Sequence, residues 1–326
     1  MKKLLFPLVA MLLSVNVAFA QDDAPASPWT HGGNVGFNLA QSHFDNWAPG
    51  GQDNVNFLGF LKYDCNYKNG NHKWDNGLDL QLGYSYYDLD MKPIKTDDRI
   101  FFSSLYGYNI HQDKWFVTAN LTFQSQFTNG YNYASDSTNR ISGFMNPGYV
   151  TLGLGIQWVP NEHFKVNLAP LTAKMTYVND QRLADDGAFG VKKAEYELDE
   201  NGVPVVDSLG NKNMLKHGEK IRWELGAQLT AEFNYEIVEN VTFSSKLIAF
   251  YNYLGGSENA LGEKYTCPVD FDWDNALIMK VNDWLSCNLT ARLVYDEDIA
   301  PLSKVEGTTF RQFKEVLSIG ISYKIP

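Results

Sequence analysis

Ile221-Arg222-Trp223-Glu224-Leu225-Gly226-Ala227-Gln228-Leu229-Thr230-Ala231-Glu232-Phe233-Asn234-Tyr235 alternates without a break. Every odd position is apolar or aromatic, and every even one is charged, amide, hydroxyl or glycine. Side chains on a strand point alternately to opposite faces, so this stretch is a strand with one apolar and one wet face. Soluble strands have a modal length of about 5 to 6 residues, whereas a strand that crosses a bilayer needs roughly 9 to 11. Fifteen alternating residues therefore point to a wall between lipid and water.

The same pattern recurs along the chain. In the stretch 74–87, Trp74, Leu78, Leu80, Leu82, Tyr84 and Tyr86 oppose Asp75, Gly77, Asp79, Gln81 and Ser85; in 115–127, Val117, Ala119, Leu121 and Phe123 oppose Thr118, Asn120, Thr122 and Gln124. Further predicted strands cover 34–42, 54–66, 99–110, 149–159, a stretch from Phe164, 241–253, 269–281, 285–296 and 310–325. Tight turns at 68–71, 111–114, 160–163, 239–240 and 282–283 alternate with longer loops. The fold class that follows is all-β: a single antiparallel transmembrane β-barrel of about twelve strands, with short periplasmic turns and long extracellular loops. A soluble β-sandwich also alternates, but its strands are shorter.

Two features refine this reading. Pro170 interrupts the seventh strand, and the apolar phase moves there from Phe164, Val166 and Leu168 to Leu171, Ala173, Met175 and Tyr177, which predicts a bulge. Trp74, Trp115 and Trp158 flank tight turns, while Trp223, Trp273, Tyr251, Tyr253 and Tyr295 gather at the other ends, as two interfacial belts would.

Residues 1–20 read as a signal peptide, with Lys2 and Lys3 before an apolar stretch and Ala18-Phe19-Ala20 fitting a small-x-small cleavage site. Cleavage near Ala20 implies export to the outer membrane of a Gram-negative bacterium. Residues 21–33 form a periplasmic N-terminal segment, 34–326 the barrel, and 179–220 a long extracellular loop. Loss of the two signal lysines takes the formal charge from -11 to -13, which disfavours nucleic acid as a partner. The three cysteines, Cys65, Cys267 and Cys287, form no disulfide framework by their spacing. The expected partners are outer-membrane lipid, lipopolysaccharide, the barrel assembly machinery and an unidentified small solute. The alternating C-terminal stretch Leu317 to Ile325 resembles an outer-membrane assembly signal, but it ends Lys324-Ile325-Pro326 rather than on an aromatic residue.

Candidate functional groups are those expected to face the lumen: Arg222, Glu224, Gln228, Glu232 and Lys246, with Asp272, Asp274, Arg292, Asp296 and Lys314. Asp270, Asp272 and Asp274 share one face near the outer mouth and would bias a pore toward cations. In the long loop, Asp180, Arg182, Asp185 and Asp186 are candidates for a lid or binding surface, with anchoring as the plainer role. Asp199-Glu200-Asn201-Gly202 and Asp207-Ser208-Leu209-Gly210-Asn211 are turn formers that predict a small hairpin. No phosphate loop, dinucleotide fingerprint or Cys/His metal spacing is present, so no cofactor and no metal are expected. None of the six histidines sits mid-strand, and Ser42-His43 point to opposite faces, so an enzyme is not expected. The residues predict a passive pore or small-solute transporter. The alternatives are a closed barrel that binds an envelope or surface partner, and an outer-membrane lipid hydrolase or acyltransferase.

Trp29-Thr30-His31-Gly32-Gly33 followed by Asn46-Trp47-Ala48-Pro49-Gly50-Gly51 resembles the N-terminal pattern of an uncharacterised family of outer-membrane barrels, the domain of unknown function numbered 3078. So does Pro170-Leu171-Thr172-Ala173-Lys174-Met175-Thr176-Tyr177-Val178-Asn179-Asp180, continuing to Gly187-Ala188-Phe189-Gly190-Val191. The resemblance implies an outer-membrane barrel and supplies no catalytic residues.

Overall fold

A computed structural model describes residues 27–42, 54–87, 93–132, 136–255, 263–265, 267–299 and 310–326. The expected signal peptide and the segment from Asn46 to Gly51 lie outside them. The wall strands are β1 (Trp29–Ser42), β2 (Asn54–Asn69), β3 (His72–Tyr86), β4 (Ile94–His111) and β5 (Trp115–Ser125). A small sheet of β6 (Gly130–Asn132) and β7 (Asp136–Ser142) precedes β8 (Gly148–Trp158) and β9 (Phe164–Tyr177). The helix α1 (Gln181–Asp185), a 3-10 turn (Ala188–Gly190) and the pair β10 (Glu195–Tyr196) and β11 (Met214–Lys216) form the long loop. The wall resumes with β12 (Ile221–Val238), β13 (Val241–Asn252), β14 (Val269–Lys280), β15 (Leu285–Tyr295) and β16 (Arg311–Ile325).

Twelve strands close into one antiparallel barrel in the order β1-β16-β15-β14-β13-β12-β9-β8-β5-β4-β3-β2. The seam pairs Gly33 with Ile325 and Leu39 with Ile319. The first strand begins at Trp29 rather than at the expected Asn34, so residues 29–33 extend the wall instead of forming a separate periplasmic segment. Gly32, Gly33 and the polar Thr30 and His31 blur the alternation there, but Trp29 pairs with Tyr67 and its ring lies 5.1 Å from that of Tyr67.

The outer face is apolar. Leu152, Leu154, Leu317 and Ile319 are each more than half exposed, which is costly in water and ordinary against hydrocarbon. Among the described residues, no helix is long and apolar enough to cross a membrane. Aromatic rings collect at both rims. At the turn end, Trp29 meets Trp74 at 5.9 Å and Trp115 stacks on Trp158 at 5.9 Å; at the loop end, Tyr251 meets Tyr253 and Phe271 stacks on Tyr295.

The bulge expected at Pro170 is present. Ala169 pairs with Gln228 while Thr172 pairs with Gly226, leaving Pro170 and Leu171 opposite Ala227. The extra residue keeps Leu168 and Leu171 outside, and Asn167, Ala169, Thr172 and Thr176 are buried inside. Inside, glycines admit close approach: a Cβ on Gly226 would lie 2.8 Å from the Phe250 ring, and one on Gly36 the same distance from the Phe60 ring. The three cysteines are free.

Candidate functional site: a charged lumen beneath an outer vestibule

β12 aims its even-numbered residues inward. Glu232 is in register with Lys165 on one neighbouring strand and Lys246 on the other, and it pairs with both at 2.8 Å. Gln228 is buried. Oε1 of Glu224 accepts from Arg222 at 2.8 Å and from Asn252 at 3.2 Å; Lys174 stands 3.5 Å from its other oxygen. Arg222 also donates to Asp298 at 2.5 Å and to the Gly190 carbonyl at 3.4 Å.

The acidic row on β14 is neutralised residue by residue. Lys174 donates to Asp270 at 3.2 Å. Arg292 grips Asp272 with two bonds of 2.9 and 2.5 Å, and Arg99 donates to Asp274 at 2.9 Å. Each aspartate of the row thus faces a cation from another strand, a pairing that the sequence does not reveal. Lys314 is paired with Asp97, with three strands between them round the ring, and Asp296 accepts the amide of Asp298 at 2.8 Å.

Arg99 and Asp274 sit on β4 and β14. Five strands separate these two whichever way the ring is followed, so their bond joins opposite walls. Lys246 on β13 places its ammonium 5.2 Å from the centre of the Phe101 ring on β4, a second contact across the bore and a favourable one. Among the described residues, both contacts across the bore are made by side chains of wall strands.

Beside these contacts lies a cavity of about 620 Å³, lined among others by Arg99, Tyr149, Lys174, Phe189, Phe250 and Arg292. Its size falls in the range of about 300 to 1,000 Å³ typical of small-molecule sites. Phe189 reaches it from the long loop with φ 58. A left-handed backbone at so bulky a residue marks a constraint imposed by its surroundings. The carboxyls of Glu224, Asp270 and Asp298 bring oxygens within 4.8 Å of one another at the cavity's edge, and Lys174 and Arg222 supply positive charge there.

Of the four loop candidates, Asp180 and Arg182 tie the long loop to β7, while Asp185 and Asp186 bond within the loop. Asp180 caps α1 by accepting from the Arg182 amide at 3.0 Å and pairs with Arg140. Burial would raise its carboxyl, but the Arg140 and Arg182 hydrogen bonds hold it below its ordinary value. Asp185 accepts from Gln181 and from the Gly218 amide, both at 2.8 Å, and meets His217 at 3.1 Å. These bonds outweigh desolvation and lower its carboxyl as well. Arg182 donates to Asn139 at 3.2 Å, and Asp186 meets Arg182 at 3.7 Å. Beneath them Val178, Leu183, Ala184 and Val191 form a small buried cluster. The expected hairpin forms: β10 pairs with β11, and Asp199 and Asp207 each accept two backbone amides in the turns between.

Arg99, Lys165 and Lys174 were not among the residues expected from sequence. Arg99 shares parity with the inward Phe101, a signal that was available. Lys165 alternates with the outward Phe164 and Val166, and Lys174 with Ala173 and Met175, so their parity too was available once the phase on each side of Pro170 was read.

Residues 39–131 match a family described as "Protein of unknown function (DUF3078)". Of the segments carrying the resemblance, Asn46 to Gly51 lies within that stretch, Trp29 to Gly33 precedes it, and Pro170 to Val191 lies beyond it. No curated protein matches the chain. Among solved structures, an outer membrane channel from Pseudomonas putida F1 is 10% identical with a TM-score of 0.38, over 94% of this chain and 99% of that one. The NanC porin is 10% identical with a TM-score of 0.34, over 90% and 97%. An active-site mutant of outer membrane phospholipase A from Escherichia coli is 10% identical with a TM-score of 0.37, over 92% and 94%. Similarity at this level carries no argument about what this chain does.

Proposed function

We propose that this chain, which matches the uncharacterised family DUF3078 over residues 39–131, is a closed barrel which receives a small charged solute in its outer vestibule. It passes that solute on only when the bridges across the lumen open. The carrying observation is the 2.9 Å bond from Arg99 to Asp274, which ties opposite walls together. A passive pore needs a continuous wet path, and paired side chains occupy the bore where that path would run. The vestibule presents ammonium, guanidinium, carboxylate and aromatic groups together, which suits a solute carrying charge of its own.

Conductance in a planar bilayer tests this. The refolded protein is expected to give no stable open steps, whereas Arg99→Ala and Asp274→Ala should each produce them. Wild-type protein conducting steadily at low voltage would show an open pore and overturn the closed reading.

A second reading, binding of an envelope or surface partner, is favoured by the hairpin between β10 and β11. Leu198, Val203, Val206 and Leu209 stand exposed on it, Leu209 at 84%. No hydrolase is proposed. His217 and Asp185 meet, but that contact belongs to a clasp within the loop.

A further inference from the structure

Outward positions along the middle of the wall are apolar or small almost throughout, and Asn275 and Glu315 are exceptions. Glu315 lies between Phe313 and Leu317 on the same face of β16, and these are 62% and 63% exposed. Asn275 lies between Trp273 and Leu277 on β14. The two are in one row: Asn275 pairs with Ala291, and Ala291 pairs with Glu315. The adjacent row, Trp273, Leu293 and Phe313, lies on the loop side, so the carboxyl sits on the hydrocarbon side of the outer aromatic rim.

Asn76, another outward amide, shows how a barrel satisfies such a group by itself. It donates to the Cys65 carbonyl at 3.0 Å and accepts from Ser104 at 2.8 Å. Neither the Asn275 side-chain amide nor the Glu315 carboxyl makes a hydrogen bond or ion pair among the described residues. Hydrocarbon offers no partner to either, and a polar group left bare there is costly. The pair is nevertheless complementary, since the amide donates and the carboxyl accepts. Ala291 between them is small enough to let another surface approach. A donor and an acceptor on one face are what a two-fold interface needs, because residue i then meets j and j meets i.

We propose that a second copy of this chain packs against the wall formed by β14, β15 and β16 within the membrane, Glu315 of each copy accepting a hydrogen bond from the partner's Asn275. This goes beyond the solute-binding reading and needs only that the wall face lipid.

The test is the oligomeric state of the refolded protein, by sedimentation in density-matched micelles and by energy transfer between labelled copies in dilute lipid vesicles. Wild-type protein should be a dimer. Glu315→Leu and Asn275→Leu should each weaken it by about tenfold or more, and Glu315→Gln, which still accepts, should retain it. Heat-modifiable mobility on gels establishes that each variant is folded. A wild-type protein that inserts and remains monomeric overturns the proposal, as does a Glu315→Leu dimer of undiminished strength. Failure of folded protein to enter vesicles would instead overturn the lipid-facing wall, and the dimer with it.

Discussion

Asp185 turns its two oxygens to three groups of one loop, and the consequence is a defined pH window. Its carboxyl is lowered in the folded protein by Gln181, the Gly218 amide and His217, against a desolvation that would raise it. A lowered acid stabilises the fold fully above its unfolded value, near 3.8, and that contribution disappears as pH falls through the still lower folded value. Proteolytic nicking between Glu195 and Lys216 should therefore stay constant from neutrality to about pH 4 and rise only below it. Asp185→Asn, which keeps the shape but not the charge, should be nicked several-fold faster at neutral pH, because charge-assisted bonds are roughly twice as strong as neutral ones. At this scale the sequence told which side chains face inward, since parity on a strand requires no knowledge of neighbours. Glu224, Glu232, Asp272, Asp274 and Arg292 all face the lumen as parity demands. It did not tell that Arg99 reaches Asp274, because a contact between opposite walls depends on the ring order and the bore rather than on local pattern.

Strand positions were legible because alternation runs the length of each element. β5, expected over 115–127, spans Trp115–Ser125, and β13, expected over 241–253, spans Val241–Asn252. The sheet of β6 and β7 was not foreseen, since its short strands carry no sustained period. Pro170 shows what a single extra residue does to an element. The bulge lets Lys165 and Lys174 both reach the lumen although an odd number of steps separates them. Deleting Pro170 would join Ala169 to Leu171 and place Leu171 alone opposite Ala227, keeping Leu171, Ala173 and Met175 outward and Lys174 inward in unbroken alternation, so the deletion should remove the bulge and still fold, read as retained heat-modifiable gel mobility. Pro170→Ala keeps the residue count and should cost no more than about 1 kcal/mol in urea unfolding.

In the whole molecule the proposed closure is the work of wall side chains, and the long loop takes no part in it. The bridge from Arg99 to Asp274 involves no loop residue, and the hairpin stretch from Glu195 to Lys216 does not line the cavity. Removal of residues 195–214 should consequently leave bilayer conductance unchanged, whereas a plugging loop would make it rise. The seam of the barrel adds a constraint of timing. β1 and β16 come from opposite ends of the sequence, and His31 meets the Pro326 carbonyl at 3.2 Å where they join. Until that join is made the sheet has two open edges, each able to recruit the wrong strand. The partners on opposite walls also remain apart until the sheet has curled round. Sealing the cylinder and locking its interior are thus a single late step. A chain stalled before that step would be both sticky at its edges and open through its middle.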